Sequence, residues 1–418
     1  MESDELAVGL DIGSSKITSV VGAYEDDGTF EILGLGVSKK GGVRCGKIVN
    51  IAATQNAIEE AVEEAQDEAA LDIFYLTIGI GGDHIRCNNT KAVARVNGRY
   101  NEISQDDINR VLDNARALVL PMEREMLHFI PQEFEVDDQV GIQNPLNMSG
   151  QKLVAKAHII SGALGAKQDL STCINRASFE VRQIIVNALA AAKVVLKEDE
   201  KELGVMMIDI GAGTSDVLVY VDGSPFFTGV FPYGSDIITN DIALSCAVTK
   251  QKAEELKLNC SSAHADSISE TSVINIPIQG KEELVPIYEK EFAGRIIEPR
   301  IKELLEIIRV QMIREHLWEK INGGVVLTGG GANLPGIDKI AEKLYEKPVR
   351  IGFPLKCKAK NPDWISPEYA VAIGLASLSV NFDLEHIEHD GGYLSKGGEG
   401  KINSVGKWIK KLFTDIFT

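Results

Sequence analysis

The sequence predicts an α/β protein of two similar lobes, and three observations predict it. The segments "AVGLDIGSSKITSVV" (7–21) and "GVMMIDIGAGTSDVLVYV" (204–221) repeat one pattern. Each reads as an apolar strand ending in Asp-Ile-Gly, a short turn of small and hydroxyl residues, and a second β-branched strand. Asp11 and Asp209 lie 198 residues apart, far beyond any solenoid period, so the repeat is one of whole domains facing each other. A third glycine cluster, "VVLTGGGANLPG" (325–336), again follows an apolar strand and precedes a helix-like run, "IDKIAEKLYE".

The turns carry the chemistry. Gly13 in one copy, and Gly211 and Gly213 in the other, leave room for backbone N–H groups to converge on a phosphate without a Cβ in the way. Ser14, Ser15, Thr214 and Ser215 add hydroxyl donors, and Lys16 adds a point charge. Asp11 and Asp209, at the strand ends, are placed to hold a divalent cation directly or through water, since magnesium takes few protein carboxylates. One such turn alone is equally an ordinary tight β-turn; two in matched strand contexts argue against that reading. Gly329, Gly330 and Gly331 allow close approach of a flat base or a phosphate, with a helix N-terminus nearby.

Between the repeats lies a different pattern. A helix is expected over 104–119, "SQDDINRVLDNARALV", opened by Ser104 as N-cap with acids in its first turn. It is followed by "LHFIPQEFEVDD", "GIQNPLNMSG" and the strand "KLVAKAHII", and together these read as a small α+β subdomain inserted in the first lobe. Further on, a connecting helix (186–196) offers Asn187 and Lys193 as polar groups, and "PEYAVAIGLASLSV" (367–380) is expected to be the last core helix.

Composition narrows the classes. The 418 residues are 44% hydrophobic and 25% charged, ordinary globular values, with a formal net charge of -18. Phosphate backbones require clustered Lys and Arg, so no nucleic-acid partner is expected. Six scattered cysteines form no C-x-x-C pair, which suggests neither a disulfide framework nor a zinc knuckle and fits a reducing cytoplasm. The acidic first residues do not read as a signal peptide, and no apolar run approaches the ~18 residues of a membrane span.

Taken in order, the two Asp-Ile-Gly hairpins and the glycine cluster resemble the phosphate-1, phosphate-2 and adenosine motifs of the actin-like ATPase superfamily. The motifs "IPQEF", "GIQNPLNMSG", "IIEPR" and the terminal "GKWIKKLF" are similar to those of the FtsA family of bacterial cell-division proteins. The resemblance implies an actin-like fold of duplicated ribonuclease-H-like domains with an inserted subdomain 1C. It divides the chain into 1A (1–83 and 161–196, with a return at 351–380), 1C (84–160), 2A (197–232 and 301–350) and 2B (233–300). It implies ATP with Mg2+ in the interlobe cleft, held by Asp11, Gly13, Ser14, Ser15 and Lys16, by Asp209, Gly211, Ala212, Gly213, Thr214 and Asp216, and by Gly329 to Gly331. The segment "QKAEELK" (251–257) matches the superfamily's A-E-x-x-K helix, which puts Glu254 and Lys257 near the ribose and base, although it is also an ordinary amphipathic helix. Further implications are head-to-tail filaments, tethering of the ring protein FtsZ by its C-terminal peptide at subdomain 2B near Arg300, and contacts of later divisome proteins with 1C. An Arg at the start of a helix such as "RIKELLEIIRV" is also commonly a salt-bridged surface residue.

The chain end differs from the rest. Residues 381–404, with five acids, two lysines and many glycines, read as a flexible linker. His386 and His389 sit among its acids and read as solvated linker rather than a metal site. Residues 405–418 form an amphipathic pattern at 100° per residue: Val405, Trp408, Ile409, Leu412, Phe413, Ile416 and Phe417 share one side, and Lys407, Lys410 and Lys411 the other. A short interfacial helix on an anionic membrane fits, and a helix docked back on the core is the alternative. Slow ATP hydrolysis is expected, because no evident side chain positions the attacking water. The competing classes are an actin-fold small-molecule kinase, which has no use for the tail, and a chaperone, which needs more than the 38 residues after 380. A third is a PilM-type scaffold of pilus assembly, against which the linker and tail speak.

Overall fold

A computed structural model describes residues 7–39, 41–97, 99–277 and 284–379. The linker and the amphipathic segment at 405–418 lie outside the described residues.

Two mixed sheets are built on one plan. In the first lobe the strand order is Glu180–Val186, Tyr75–Ile80, Ala7–Ile12, Ile17–Tyr24, Phe30–Ser38 and Cys357–Ala359. The hairpin strands from Ala7 to Ser38 run antiparallel, while Tyr75–Ile80 and Glu180–Val186 join parallel. The second lobe repeats this with Ser224–Phe231, Ser215–Val221, Val205–Ile210, Val325–Thr328 and Val349–Ile351, again antiparallel across the hairpins and parallel beyond. The central strands are covered on both faces and read as largely apolar runs, with Val205–Ile210 buried throughout, whereas the parallel edge strand Glu180–Val186 is mostly half-buried and more polar. The first lobe has one extra strand, Cys357–Ala359, parallel to Phe30–Ser38, where the chain returns from the second lobe.

Two helices pack together behind the first hairpin, and the first of them also touches the second-lobe strands. Asn187–Val195 leads out of the first lobe, and Ala370–Ser379 packs against it and against the strand Ala7–Ile12. The approach is close because small residues line it: a Cβ at Gly374 would fall 1.9 Å from the Ala190 carbonyl oxygen, and one at Gly9 would fall 2.3 Å from the Ala376 nitrogen. The last helix thus begins at Ala370, after one 3-10 turn at Pro367–Tyr369, rather than at 367.

The insert has its own core. A four-stranded antiparallel sheet, in the order Arg86–Arg95, Lys152–Ala163, Arg124–Val136 and Gln139–Ile142, carries the helix Gln105–Arg116. Ile108, Val111 and Leu112 of that helix bury against Phe134, Leu153 and Ala155. Ser104 caps the helix with a reciprocal box, its hydroxyl accepting from the Asp107 N–H while Asp107 accepts from the Ser104 N–H.

The insert touches both lobes. His128 accepts the Val186 N–H of the first lobe at 3.1 Å. Toward the second lobe it meets the edge strand Ser224–Phe231: Gln132 Nε2 donates to the Pro225 carbonyl at 2.7 Å and Asn89 Nδ2 to the Phe226 carbonyl at 2.8 Å. His158 is fully buried, with Nε2 2.9 Å from Thr228 Oγ1 and Nδ1 2.7 Å from Asn89 Oδ1. Burial without a charged partner depresses the His158 imidazole to about 3 and that of His128 to about 4, so both are neutral at pH 7.

One helix differs from its expected start. Helical backbone begins at Glu289 and continues through a π-turn at Ala293–Ile297 into Glu298–Arg314, instead of opening near Arg300. Pro299 explains the wide turn: it has no N–H, and its ring would strike the carbonyl four residues back in a regular α-helix.

Candidate functional site

The two Asp-Ile-Gly turns have the same backbone geometry. The Gly13 N–H donates to the Lys16 carbonyl at 3.1 Å, and the Gly211 N–H to the Thr214 carbonyl at 2.9 Å. Asp11 therefore pairs across its hairpin with Thr18, and Asp209 with Asp216. The turns lie close together: a Cβ at Gly213 would come within 2.9 Å of Ser14 Oγ and 3.0 Å of the Cys45 backbone. Ser14 Oγ also accepts the Gly46 N–H at 3.1 Å. Cys45 and Gly46 form the turn of a small hairpin, Val43–Arg44 with Lys47–Ile48, and both have positive φ, as a two-residue type I′ turn requires. A Cβ at Gly46 would meet Gly82 at 2.7 Å, so this hairpin tip is wedged between the first-lobe glycines and the second-lobe turn.

Three carboxylates converge behind the turns. Asp209 and Asp216 are buried, and Asp11 is partly so. Desolvation raises Asp11 to about 6, moderated by Lys16. Desolvation and the Asp11 charge raise Asp216 to about 7, and desolvation with both neighbouring carboxylates lifts Asp209 well above the usual range. Asp216 Oδ1 has no hydrogen-bond partner, and neither has Oδ1 of Asn187. Asn187, first residue of its helix, stands against Gly79 and Gly81; a Cβ at Gly81 would lie 2.9 Å from Asn187 Nδ2 and 3.5 Å from Asp216 Oδ1. Asn187 is thus turned into the carboxylate group rather than lying at an ordinary surface position. Orphaned buried oxygens, and carboxyls raised first by burial and then, at Asp209 and Asp216, by neighbouring acids, are what a group of acids shows when a cation is meant to answer its charge.

The glycine cluster reaches the same place. Gly329 has φ +82, and a Cβ there would strike Asp209 Oδ1 at 2.1 Å, so only glycine fits. Gly330 and Gly331 continue in a 3-10 turn, with Gly331 packed on Ile210. The Gly329 N–H donates to the Pro367 carbonyl at 3.1 Å, and next to Pro367 the carboxylate of Glu368 pairs with Lys16 Nζ. Sequence reasoning missed Glu368 and the Cys45–Gly46 tip. The second left a signal, a Cys-Gly between two short strands; nothing in "SPEYA" marks the first.

Glu254 and Lys257 lie on the helix Lys250–Leu258. Lys257 is buried, its Nζ 2.8 Å from Glu254 and 2.9 Å from Thr239 Oγ1, while Thr239 donates to Glu254 at 2.5 Å. A solvated helix face would not bury its lysine. The chain just beyond this helix joins the glycine loop, the Ala263 N–H donating to the Pro335 carbonyl at 2.7 Å. Arg300 stands apart from the cleft residues: its Nε donates to Asp241 at 2.5 Å and its guanidinium pairs with Glu303. Thr214 Oγ1 donates to Asp216, and no structural partner is described for Ser15.

Two lobes of one strand plan, with paired phosphate-type turns facing across a cleft, define an actin-like protein. Solved structures share that fold: a PilM–PilN type IV pilus biogenesis complex, at TM-score 0.61 and 17% identity over 90% of this chain and 98% of that one, and MreB5 of Spiroplasma citri bound to ADP, at TM-score 0.52 and 12% identity over 89% and 95%. Within the class, the family model "SHS2 domain inserted in FTSA" matches residues 82–161 and "Cell division protein FtsA" matches 206–374. Cell division protein FtsA of Borreliella burgdorferi is 38% identical over 89% of this chain and 90% of its own length, that of Pseudomonas aeruginosa 36% over 90% and 89%, and that of Escherichia coli K12 31% over 98% and 96%. The chain belongs to the FtsA family of cell division proteins.

Proposed function

We propose that the protein binds ATP with Mg2+ in the interlobe cleft, assembles into filaments, and holds the FtsZ ring to the cytoplasmic membrane. The observation that carries the nucleotide part is the convergence of Asp11, Asp209 and Asp216 with the two matched turns and Gly329. The residues fit a magnesium-bound nucleotide: the glycines leave room for phosphates and base, and the acids, pushed toward their neutral form by burial, offer oxygens that a cation would draw back to the charged form. Asp11 and Asp209 would hold the cation, and Gly13, Ser14, Ser15, Lys16, Gly211, Ala212, Gly213 and Thr214 would take the phosphates. Gly330 and Gly331 flank the base, and Glu254, paired with the buried Lys257, lies with it near the ribose and base. A cation held there would offset phosphate charge. Asn187 is the polar group nearest the carboxylates from the connecting helix; with one amide and no base there, hydrolysis is slow.

The membrane part rests on the segment 405–418. No helix of the described residues is long and apolar enough to cross a membrane. One tail is a weak anchor, since each lysine near an anionic surface contributes only ~1 kcal/mol. Filament formation multiplies tails on one surface, and avidity raises binding by ~10² or more. FtsZ's C-terminal peptide binds subdomain 2B, where Arg300 offers a guanidinium already shared with Asp241 and Glu303, and later divisome proteins meet the insert.

Co-sedimentation with anionic liposomes tests the reading, with and without ATP, for the full chain and for a chain ending at Ser404, with phosphate release followed in the same samples. The full chain is expected to sediment better with ATP, and a version with Trp408 and Phe413 changed to Glu should stay soluble while still binding ATP. Equal sedimentation of the truncated chain removes the anchor. Phosphate release at kinase-like rates removes slow hydrolysis, and failure of an FtsZ C-terminal peptide to co-sediment with the full chain removes the tether.

A further inference from the structure

Lys16, the lysine of the first turn, already has a partner. Its ammonium pairs with the Glu368 carboxylate and lies 4.1 Å from the centre of the Tyr369 ring. Glu368 is not on a free loop. The Pro367 carbonyl beside it accepts from Gly329 N–H at 3.1 Å and from Thr328 Oγ1 at 3.4 Å, Tyr369 N–H bonds back to the Ser366 carbonyl at 3.0 Å, and Asn333 Nδ2 donates to Ser366 Oγ at 3.4 Å. A Cβ at Gly330 would sit 3.8 Å from Glu368 Cβ. The segment 366–369 is therefore pinned to the glycine loop of the second lobe while its acid grips the phosphate-type turn of the first.

We infer that Glu368 is a nucleotide-site residue that competes with phosphate for Lys16 and so holds down affinity in proportion to the number of phosphates. This rests on the reading of the cleft as a nucleotide site. The physics is direct: a lysine offers one positive charge, and a carboxylate already bonded to it must be displaced, or left beside a phosphate at a like-charge cost. The segment's backbone bonds hold the Glu368 Cα beside the turn, so a carboxylate displaced from Lys16 stays within reach of the phosphates and part of that cost persists in the complex. A ligand without phosphates asks nothing of Lys16 and feels no competition. Glu368 keeps a third of its side-chain surface exposed, and glutamine has the same shape, so the substitution removes the charge and leaves the packing.

The experiment measures binding of ATP, ADP and adenosine, each with Mg2+, to the full chain and to Glu368→Gln, Lys16→Met and the double variant, with thermal melts as a check on folding. Glu368→Gln should tighten ATP about tenfold, ADP less, and adenosine not at all, since only the charge competition is removed. The gain should vanish in the Lys16→Met background, because the two residues act as a pair. Unchanged or weaker ATP binding by Glu368→Gln, equal tightening of adenosine, or a gain that survives loss of Lys16 overturns the inference while wild-type binding stands. No ATP binding by the wild-type chain overturns the nucleotide reading and this inference with it.

Discussion

At the scale of single residues, the carboxylate group shows a site kept at the expense of stability. Asp216 titrates at about 7 in the fold against an ordinary 3.8. As pH rises, the unfolded chain gives up this proton first, so the folded state loses stability from about pH 4 to 7 and carries the full penalty above that. Asp216→Asn removes the penalty. Urea unfolding should show the variant more stable than wild type by ~1 kcal/mol or more at pH 8, with the gain shrinking toward zero near pH 4. A gain of equal size at both pH values would mean that packing, not ionisation, is responsible. The same variant should bind Mg-ATP more weakly, the ordinary conflict between a stable cleft and a charged one.

At the scale of elements, the tightest seat is that of Ala370–Ser379 on Asn187–Val195 and Ala7–Ile12. It depends on absent side chains, at Gly374 against Ala190 and at Gly9 against Ala376. Gly374→Ala inserts a methyl where the Ala190 carbonyl oxygen already stands. Helix propensity alone would favour alanine by ~1 kcal/mol, but overpacking costs ~1–3 kcal/mol or more, and at this distance overpacking wins. Chemical denaturation should therefore show net destabilisation, whereas Gly165→Ala, with nothing near its Cβ, should show none.

At the scale of the whole molecule, the insert is a third body resting on both lobes. Its seam with Ser224–Phe231 is largely polar, and a polar seam is held by individual bonds rather than by apolar area. Gln132→Ala deletes the donor to the buried Pro225 carbonyl, which costs ~1–3 kcal/mol if that oxygen stays dry. Hydrogen exchange should then speed up across 224–231 while Val205–Ile210, in the middle of the sheet, keeps its protection. Uniform exchange across both strands in wild type and variant alike would show that the seam does not hold the edge.

By itself, the sequence determined the lobes and much of the cleft. Asp-Ile-Gly turns need glycine and hydroxyl residues at fixed offsets, and strands buried on both faces need uninterrupted apolar runs, so both features are local and legible. The capped insert helix was legible for the same reason, since Ser104 and Asp107 close their box within four residues. Only the tertiary structure decided what depends on distant chain segments meeting. Glu368 pairs with a lysine 352 positions away, Asn187 turns toward Asp216, and Lys257 is buried rather than solvated, because each position is set by how the lobes and helices pack. The π-turn before Pro299 belongs there too: a proline announces that a helix must adjust, but whether it stops or widens depends on what its other residues, from Phe292 to Ile301, find to pack against.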